Sequence, residues 1–521
     1  MLQAETFVPL CDFERQLFTK LVPQKHFLRQ LEPLVDFERF RPALLAHYSP
    51  NLGRPSHDPV MMLKLDVLAM QYRWSDRELV EHAQVNMAVR LFLDLGADTK
   101  LPHHTSMTYF RQRIGADVLQ NIFDGVVAQA RELGIVCDRM RLKDATHVIA
   151  NIAIPTTIRL VAETRDTLLE AAEPFDPERR NIEWDRAIAM SAIEEISDEQ
   201  RLVERVAHLR RVLLWAEELR HTEAFRTAPA DLQGKLRDAL KLAHKVLCDR
   251  DDPEAGDKVL SVHDPDARCG KHGEFFDGYL IDVAMDADSE IITAVNVLPA
   301  NGDEAGDAAH LIAQEEAAHG NDVEALSGDG ALYRGAVLRE LTDPDGLDLE
   351  VFTPPTERVP LTVFGPEAFT LSADRQTLTC PAGQTTSSHE RTARDTGVKF
   401  RFAKKQCSGC SLREQCLSSP EVKSRSVIKN DYEAEYRSAQ AKAQTPEYVK
   451  ARKEHPAIER KLSELVRRHG MRHARYRGMP KVHRQALLAC LTVNLKRIVK
   501  LKAPPLAEET ETVRAEPVLK E

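Results

Sequence analysis

Three acidic residues stand in settings where a carboxylate has to justify its place. Asp144 lies in Met140-Arg-Leu-Lys-Asp-Ala-Thr-His-Val-Ile-Ala150, whose alternation predicts a strand with Met140, Leu142, Asp144, Thr146 and Val148 on one face. A carboxylate on the half-buried face of a strand is costly unless a cation or a hydrogen bond compensates it. A strand-end aspartate bonded to a nearby backbone amide meets that condition as well as a metal ligand does. Asp329 closes a second predicted strand, Asp322-Val-Glu-Ala-Leu-Ser-Gly-Asp329, and ligands of α/β sheets gather at the carboxyl ends of strands. Glu459 falls in a predicted helix from Pro456 to Gly470, with proline suited to its first position and glycine to its stop. Ile458, Leu462, Leu465 and Val466 form the apolar face. Glu459 borders that face, where a carboxylate can be held against a core and still meet a ligand. Glu464 is expected to point into solvent and Glu454 to lie outside the helix. An ordinary solvated helix fits this segment too.

Sulfur supplies the most specific local pattern. Cys407-Ser-Gly-Cys410-Ser-Leu-Arg-Glu-Gln-Cys416 has the C-x2-C-x5-C spacing of a tight knuckle around one ion. Cys380, in Cys380-Pro-Ala-Gly on a preceding hairpin, offers a fourth thiolate for a closed tetrahedral Zn²⁺ site. A redox C-x-x-C would need a thioredoxin-like βαβ setting, which the sequence lacks. His263, Cys269 and His272 find no convincing fourth partner and read as a loop.

Charge separates the chain into unlike parts. The net charge of 521 residues is −10, yet from Lys399 to Lys502 the 26 Lys and Arg outnumber the 9 Asp and Glu, a local balance of +17. That asymmetry suits a polyanion, or a solvated basic surface. Arg472, Arg475, Arg477 and Lys481 crowd next to the Glu459 helix. Nine cysteines, four of them clustered, suit a reducing compartment with a metal site better than a disulfide framework. No apolar run approaches a membrane span, and the opening Met1-Leu-Gln-Ala-Glu lacks a basic n-region, so neither a membrane anchor nor a signal peptide is expected.

The elements that would position these residues follow in order. Residues 1–135 read as helical, with Asp76 and Thr105 as candidate caps and Tyr109, Arg111 and Arg113 on a segment that fits either a helix-turn-helix-like DNA reader or a structural cluster. After the Asp144 strand comes a charged helical stretch, read as an inserted hairpin without chemistry of its own. Gly278 to Met285 and Glu290 to Pro299 read as two strands joined by Asp286-Ala-Asp-Ser. A helix over 304–318, the Asp329 strand, a helix over 331–341 and a strand from Leu347 complete a β-β-β-α-β-α-β order. That is the order of an RNase H-like core. Residues 503–521 are Pro- and Glu-rich and predicted to be disordered.

Together these stretches resemble the DDE transposases of bacterial insertion sequences, over roughly residues 10 to 500. Lys143-Asp144-Ala-Thr-His-Val-Ile-Ala, Ser327-Gly-Asp329-Gly-Ala-Leu-Tyr333, and Glu459 followed by Gly470-Met-Arg-His-Ala-Arg-Tyr-Arg-Gly478-Met-Pro-Lys carry the likeness. Asp264-Pro-Asp-Ala-Arg, Phe275-Phe-Asp-Gly-Tyr279 and Pro102-His-His-Thr-Ser-Met-Thr-Tyr-Phe-Arg extend it. The cysteine-rich insertion between the second Asp and the Glu is similar to the branch with a four-cysteine knuckle there. Two departures stand out: Tyr333 follows Asp329 one residue late, and Arg452, His455 and Val466-Arg467 occupy positions where some branches place Tyr, Arg and Lys.

The resemblance implies an RNase H-like α/β core with an all-helical N-terminal domain, a helical insertion and a zinc-knuckle insertion. The corresponding division is 1–135 for DNA binding or assembly, 136–159 for the first core strand, 160–255 for the helical insertion, 256–360 for the rest of the core, 361–430 for the knuckle, 431–502 for the catalytic helix and basic region, and 503–521 for the tail. It implies that Asp144, Asp329 and Glu459 hold two Mg²⁺ or Mn²⁺ ions, that Cys380, Cys407, Cys410 and Cys416 hold Zn²⁺, and that Arg472, Arg475, Arg477 and Lys481 clamp phosphates beside the metals. Double-stranded DNA at element ends and at the target would be the substrate, cut and joined by a homodimer in the bacterial cytoplasm, associated with the nucleoid and not with a membrane. A domesticated, non-cleaving DNA-binding descendant and a nuclease acting on RNA or hybrid duplexes are the rival expectations.

Overall fold

The computed structural model describes residues 9–503 except 50, 52–54, 194, 253, 357–362, 394–395 and 420; the tail expected over 503–521 lies, apart from Ala503, outside the described residues. Its centre is a six-stranded mixed sheet: β1 (Arg141–Ile149), β2 (Arg268–His272), β3 (Glu274–Asp286), β4 (Ile292–Pro299), β5 (Ala325–Ser327) and β6 (Glu350–Phe352). β3 lies antiparallel to β1 and carries β2 and β4 on its other edge, while β5 and β6 continue from β1 in parallel. This is the antiparallel-then-parallel order expected of an RNase H-like core.

Both faces of β1 are covered, so the strand is buried beyond simple alternation. Leu142, Thr146 and Val148 are buried on the face of Asp144, and Arg141, Lys143 and Ala145 on the other. Charges on that second face are compensated in place. Arg141, fully buried, donates to Asp286, Asp138, Glu315 and the Cys137 carbonyl oxygen, and Lys143 pairs with Asp282 at 2.9 Å. Asp286 lies directly across the ladder from Arg141, and Asp282 lies on the diagonal, two residues from Ala284, the partner of Lys143.

Helices pack on the Asp144 face. The Pro456–His469 helix lies against β1, and Met479–Lys502 is buried nearly all round between the sheet and the N-terminal helices. A helix buried on every side needs no amphipathic stripe, and this one joins the N-terminal helices and the sheet in a single apolar core. The N-terminal helical expectation is met, with two corrections of detail. Ser75, through a capping box with Glu78, precedes Asp76 as the cap, and His104 precedes Thr105, the first helical residue.

The inserted segment is not a hairpin. It forms four main helices, Thr157–Ala172, Pro177–Ser191, Asp198–Leu219 and Ala230–Asp251, around an apolar core of their own. The stretch before the Glu459 helix builds two small three-stranded sheets on a core of Phe369, Leu378, Phe400 and Val427.

Candidate active site

Register places the first two acids. Ser327 of β5 pairs with Leu142 of β1 in parallel, so two residues further along, Asp329 falls level with Asp144. Asp144 itself sits opposite Val283 of β3 and accepts a hydrogen bond from the Ala145 amide at 2.8 Å. The backbone-amide reading of this residue is thus correct as far as it goes, but that bond does not neutralise it. Burial first, then the negative charges of Asp329 and Glu304, push its carboxyl up to about 6 against that bond.

Asp329 is exposed and held through its backbone. Its side chain accepts from the Ala331 amide at 2.9 Å, and its carbonyl oxygen accepts from the Thr353 hydroxyl at 2.6 Å. Tyr333, displaced by one residue from the family spacing, is buried against Tyr436.

The third acid is located by two rulers. His455, just before the helix, meets the Ser327 hydroxyl through Nδ1 at 3.3 Å, level with Leu142. At the other end the Ala474 amide donates to the Ile149 carbonyl oxygen. Two strand residues from Leu142 and four helical ones from His455 each span roughly 6 Å, and the helix packs along β1. Glu459, one turn past His455, therefore comes level with Asp144.

Arg452, on the preceding Pro446–Glu454 helix, donates from Nη1 to the Gly328 carbonyl oxygen at 2.7 Å. The junction that opens the Glu459 helix is thus latched to the Asp329 loop. Glu454, outside this helix as expected, is bound by Arg139 at 2.9 Å. Glu464 does not reach into solvent: Lys496 and Lys461 hold it on the opposite side.

Sequence reasoning missed the Arg452 and His455 latch, and it missed Glu304. Glu304 follows β4, raises both Asp144 and Asp282, and has its Oε2 buried without a hydrogen-bond partner. Burial, followed by Asp307 and Glu304 against the pull of Lys143, pushes Asp282 up to about 7. The run Asn301-Gly-Asp-Glu304 at a strand's carboxyl end was the available signal. Among the described residues no three His, Cys, Asp or Glu side chains stand close enough together to form a ready metal cluster.

The four basic residues lie elsewhere than expected. Arg472 donates to the His147 carbonyl oxygen and Arg477 to that of Asn151, which places the segment at the far end of β1. Asp144 to Ile149 is five strand residues, and Glu459 to Gly470 eleven helical ones, each roughly 16 Å. Arg472 meets β1 three residues, roughly 10 Å, beyond Asp144, and Arg477 further along the chain.

The four cysteines line one cavity without closing into a metal cluster. Cys380, in the turn between Leu378–Thr379 and Thr385–Thr386, lines one small cavity with Cys407, Cys410 and Cys416. Burial and then the neighbouring Cys407, Cys380 and Cys410 raise the Cys416 thiol, with Arg425 opposing. All four are free thiols.

The strained electrostatics of Asp144 predict a stability effect. Its carboxyl rises from 3.8 to about 6 on folding, so the ionised form costs stability; the cost is absent below about 4, accrues to about 6, and is complete above. Asp144→Asn is expected to stabilise the protein in chelator by up to about 3 kcal/mol at pH 8 and by almost nothing at pH 4. Thermal unfolding at the two pH values checks this.

Comparison with known proteins adds two family matches. Residues 16–113 match a transposase domain (DUF772), and residues 379–499 match a transposase DDE domain that takes in the cysteines, Glu459 and the basic segment. No curated protein and no solved structure matches the chain. No described helix is long and apolar enough to cross a membrane. Both family matches, one toward each end of the chain, are to transposase domains, and they put the chain among the DDE transposases of the insertion-sequence type.

Proposed function

We propose that this transposase cuts DNA strands at the ends of its element and joins the freed 3′-hydroxyl to target DNA, with Asp144, Asp329 and Glu459 as the catalytic acids. The observation that carries the reading is their common level: two acids on adjacent parallel strands, and a third on a helix latched to the loop of the second. The donor set fits Mg²⁺ or Mn²⁺, which take hard carboxylate oxygens, and the crowding that raises Asp144 is what a divalent cation relieves. When bound, such ions activate the attacking oxygen and neutralise the leaving one.

The chain's own part is positioning. β1 fixes Asp144 through its ladder, Thr353 and Arg452 hold the Asp329 loop by its carbonyl oxygens, and the apolar face of the Glu459 helix locks that residue to the core. The non-cleaving reading draws no support from these contacts. Purified protein with DNA carrying the element's ends should nick it in Mg²⁺ and not in chelator; no nicking in either Mg²⁺ or Mn²⁺ would refute the proposal, and equal cutting of RNA would favour the nuclease reading.

The cysteine cluster is proposed as a structural Zn²⁺ site of Cys380, Cys407, Cys410 and Cys416. Four thiols around one cavity, packed on a core of only six buried apolar residues, supply the donor chemistry. A metal there would contribute folding free energy that so small a core lacks. Elemental analysis should find one zinc per chain, lost in Cys410→Ser together with protection of 364–430 from proteolysis. Well-folded protein without zinc would remove this proposal.

A further inference from the structure

At the far end of β1, the basic segment meets the N-terminal helices across a recess of about 360 Å³. Trp74, Asp76, Thr108 and Gln112 line one side, Arg475 and Lys481 the other. The inner cations are already compensated: Arg111 is bound by Asp66 and Asp76, and Arg484 by Asp66. Those at the mouth are not. Arg475 and Lys481 are exposed and make no salt bridge with a carboxylate among the described residues.

A second arginine approaches Arg475 at Gly470. Gly470, at φ 70°, ends the Glu459 helix, and a methyl group on it would lie 3.8 Å from Arg73 Nη2 and 3.9 Å from Arg475 Nη2. Two guanidiniums thus flank one point from opposite domains. Arg73 is held there by a left-handed backbone, φ 59° and ψ 30°, at the end of the Pro59–Tyr72 helix. That conformation suits glycine and is disfavoured for arginine. Like charges brought together, one of them by a strained backbone, form an arrangement that an anion relieves.

We propose that Arg73 and Arg475, with Lys481 beside them, seat one backbone phosphate of the bound DNA, so that the N-terminal helices and the basic segment grip the same strand. This rests on the transposase reading only for the identity of the DNA. The seat lies roughly 16 Å along the helix from Glu459, which corresponds to about five nucleotide steps from the cut phosphate at 3.4 Å per step. It adds to the basic segment a partner, Arg73, that lies some four hundred residues away in sequence.

The test measures binding of a short random-sequence duplex as a function of salt. Arg73→Gly removes the charge and fits the backbone, so folding is preserved; Arg475→Ala is its counterpart and Lys241→Ala, on the inserted bundle, the control. Each arginine variant should reduce the slope of log K against log salt, and the pair should reduce it by about 0.9, the loss of one phosphate contact, with no change for Lys241→Ala. An unchanged slope in Arg73→Gly, in protein that still nicks DNA in Mg²⁺, overturns the seat and leaves the transposase reading intact. A reduced slope in protein that never nicks supports the seat and counts against that reading instead.

Discussion

Glu459→Ala is expected to lower strand cleavage at least about a thousandfold, roughly 4 kcal/mol of transition-state stabilisation, while Glu454→Ala and Glu464→Ala keep the wild-type rate. The three glutamates lie within eleven residues, so composition cannot separate them. Geometry does. Glu454 is engaged by Arg139 beyond the start of β1, and Glu464 by Lys496 and Lys461. Glu459 lies one turn past His455, which together with Arg452 reaches the Asp329 loop, and its level along β1 is that of Asp144. Asp144→Ala and Asp329→Ala should each cost nearly as much as the Glu459 change, because groups that act as one unit are not additive. A gel assay on end-labelled DNA measures cleavage, and binding of the same duplex controls for affinity. Active Glu459→Ala beside dead Glu454→Ala would assign the third role to Glu454.

The second large effect is on stability. Asp66 is fully buried, receives Arg111 Nε at 2.7 Å and is bound by Arg484, whose Nε also donates to the Ile114 carbonyl oxygen. These residues tie the Pro59–Tyr72 helix to Thr105–Arg113 and to the long Met479–Lys502 helix. Asp66→Ala leaves Arg484 buried without its carboxylate, and breaking one side of a buried ion pair costs about 3–5 kcal/mol. Burial raises the Asp66 carboxyl, but Arg111 and Arg484 more than offset this and hold it at about 2. A depressed acid contributes stability fully above its unfolded value of 3.8 and loses it as pH falls toward about 2. Wild type and Asp66→Ala should therefore differ most in thermal unfolding above pH 4 and converge toward pH 2. Equal unfolding temperatures at pH 7 would show that the triad contributes nothing net.

Much of this centre is legible in the sequence, for reasons that differ by element. The Asp144 strand and the hairpin of β3 and β4 declare themselves by alternation and a turn. The Glu459 helix declares itself by proline, glycine and an apolar stripe of nearly ideal spacing. What stayed hidden is what only distant partners define. β2, Arg268-Cys-Gly-Lys-His272, has no alternating apolar pattern and becomes a strand by pairing with β3. Arg452 meets a carbonyl oxygen 124 residues away, and Glu464, solvent-facing by periodicity, is claimed by a lysine 32 residues on. Charge runs gave the basic segment its sign but not its distance from the acids, because that distance is fixed by the length of β1.

The most direct measurement of the central claim is cleavage by Asp144→Cys in Mg²⁺ and in Mn²⁺. A thiolate is a poor ligand for hard Mg²⁺ and a better one for Mn²⁺, so a residue that touches the metal should show cleavage lost in Mg²⁺ and partly restored in Mn²⁺, with Asp144→Ala dead in both. Wild-type cleavage by Asp144→Ala in Mg²⁺ would contradict the assignment of this carboxylate to the metal and, with it, the account of the site.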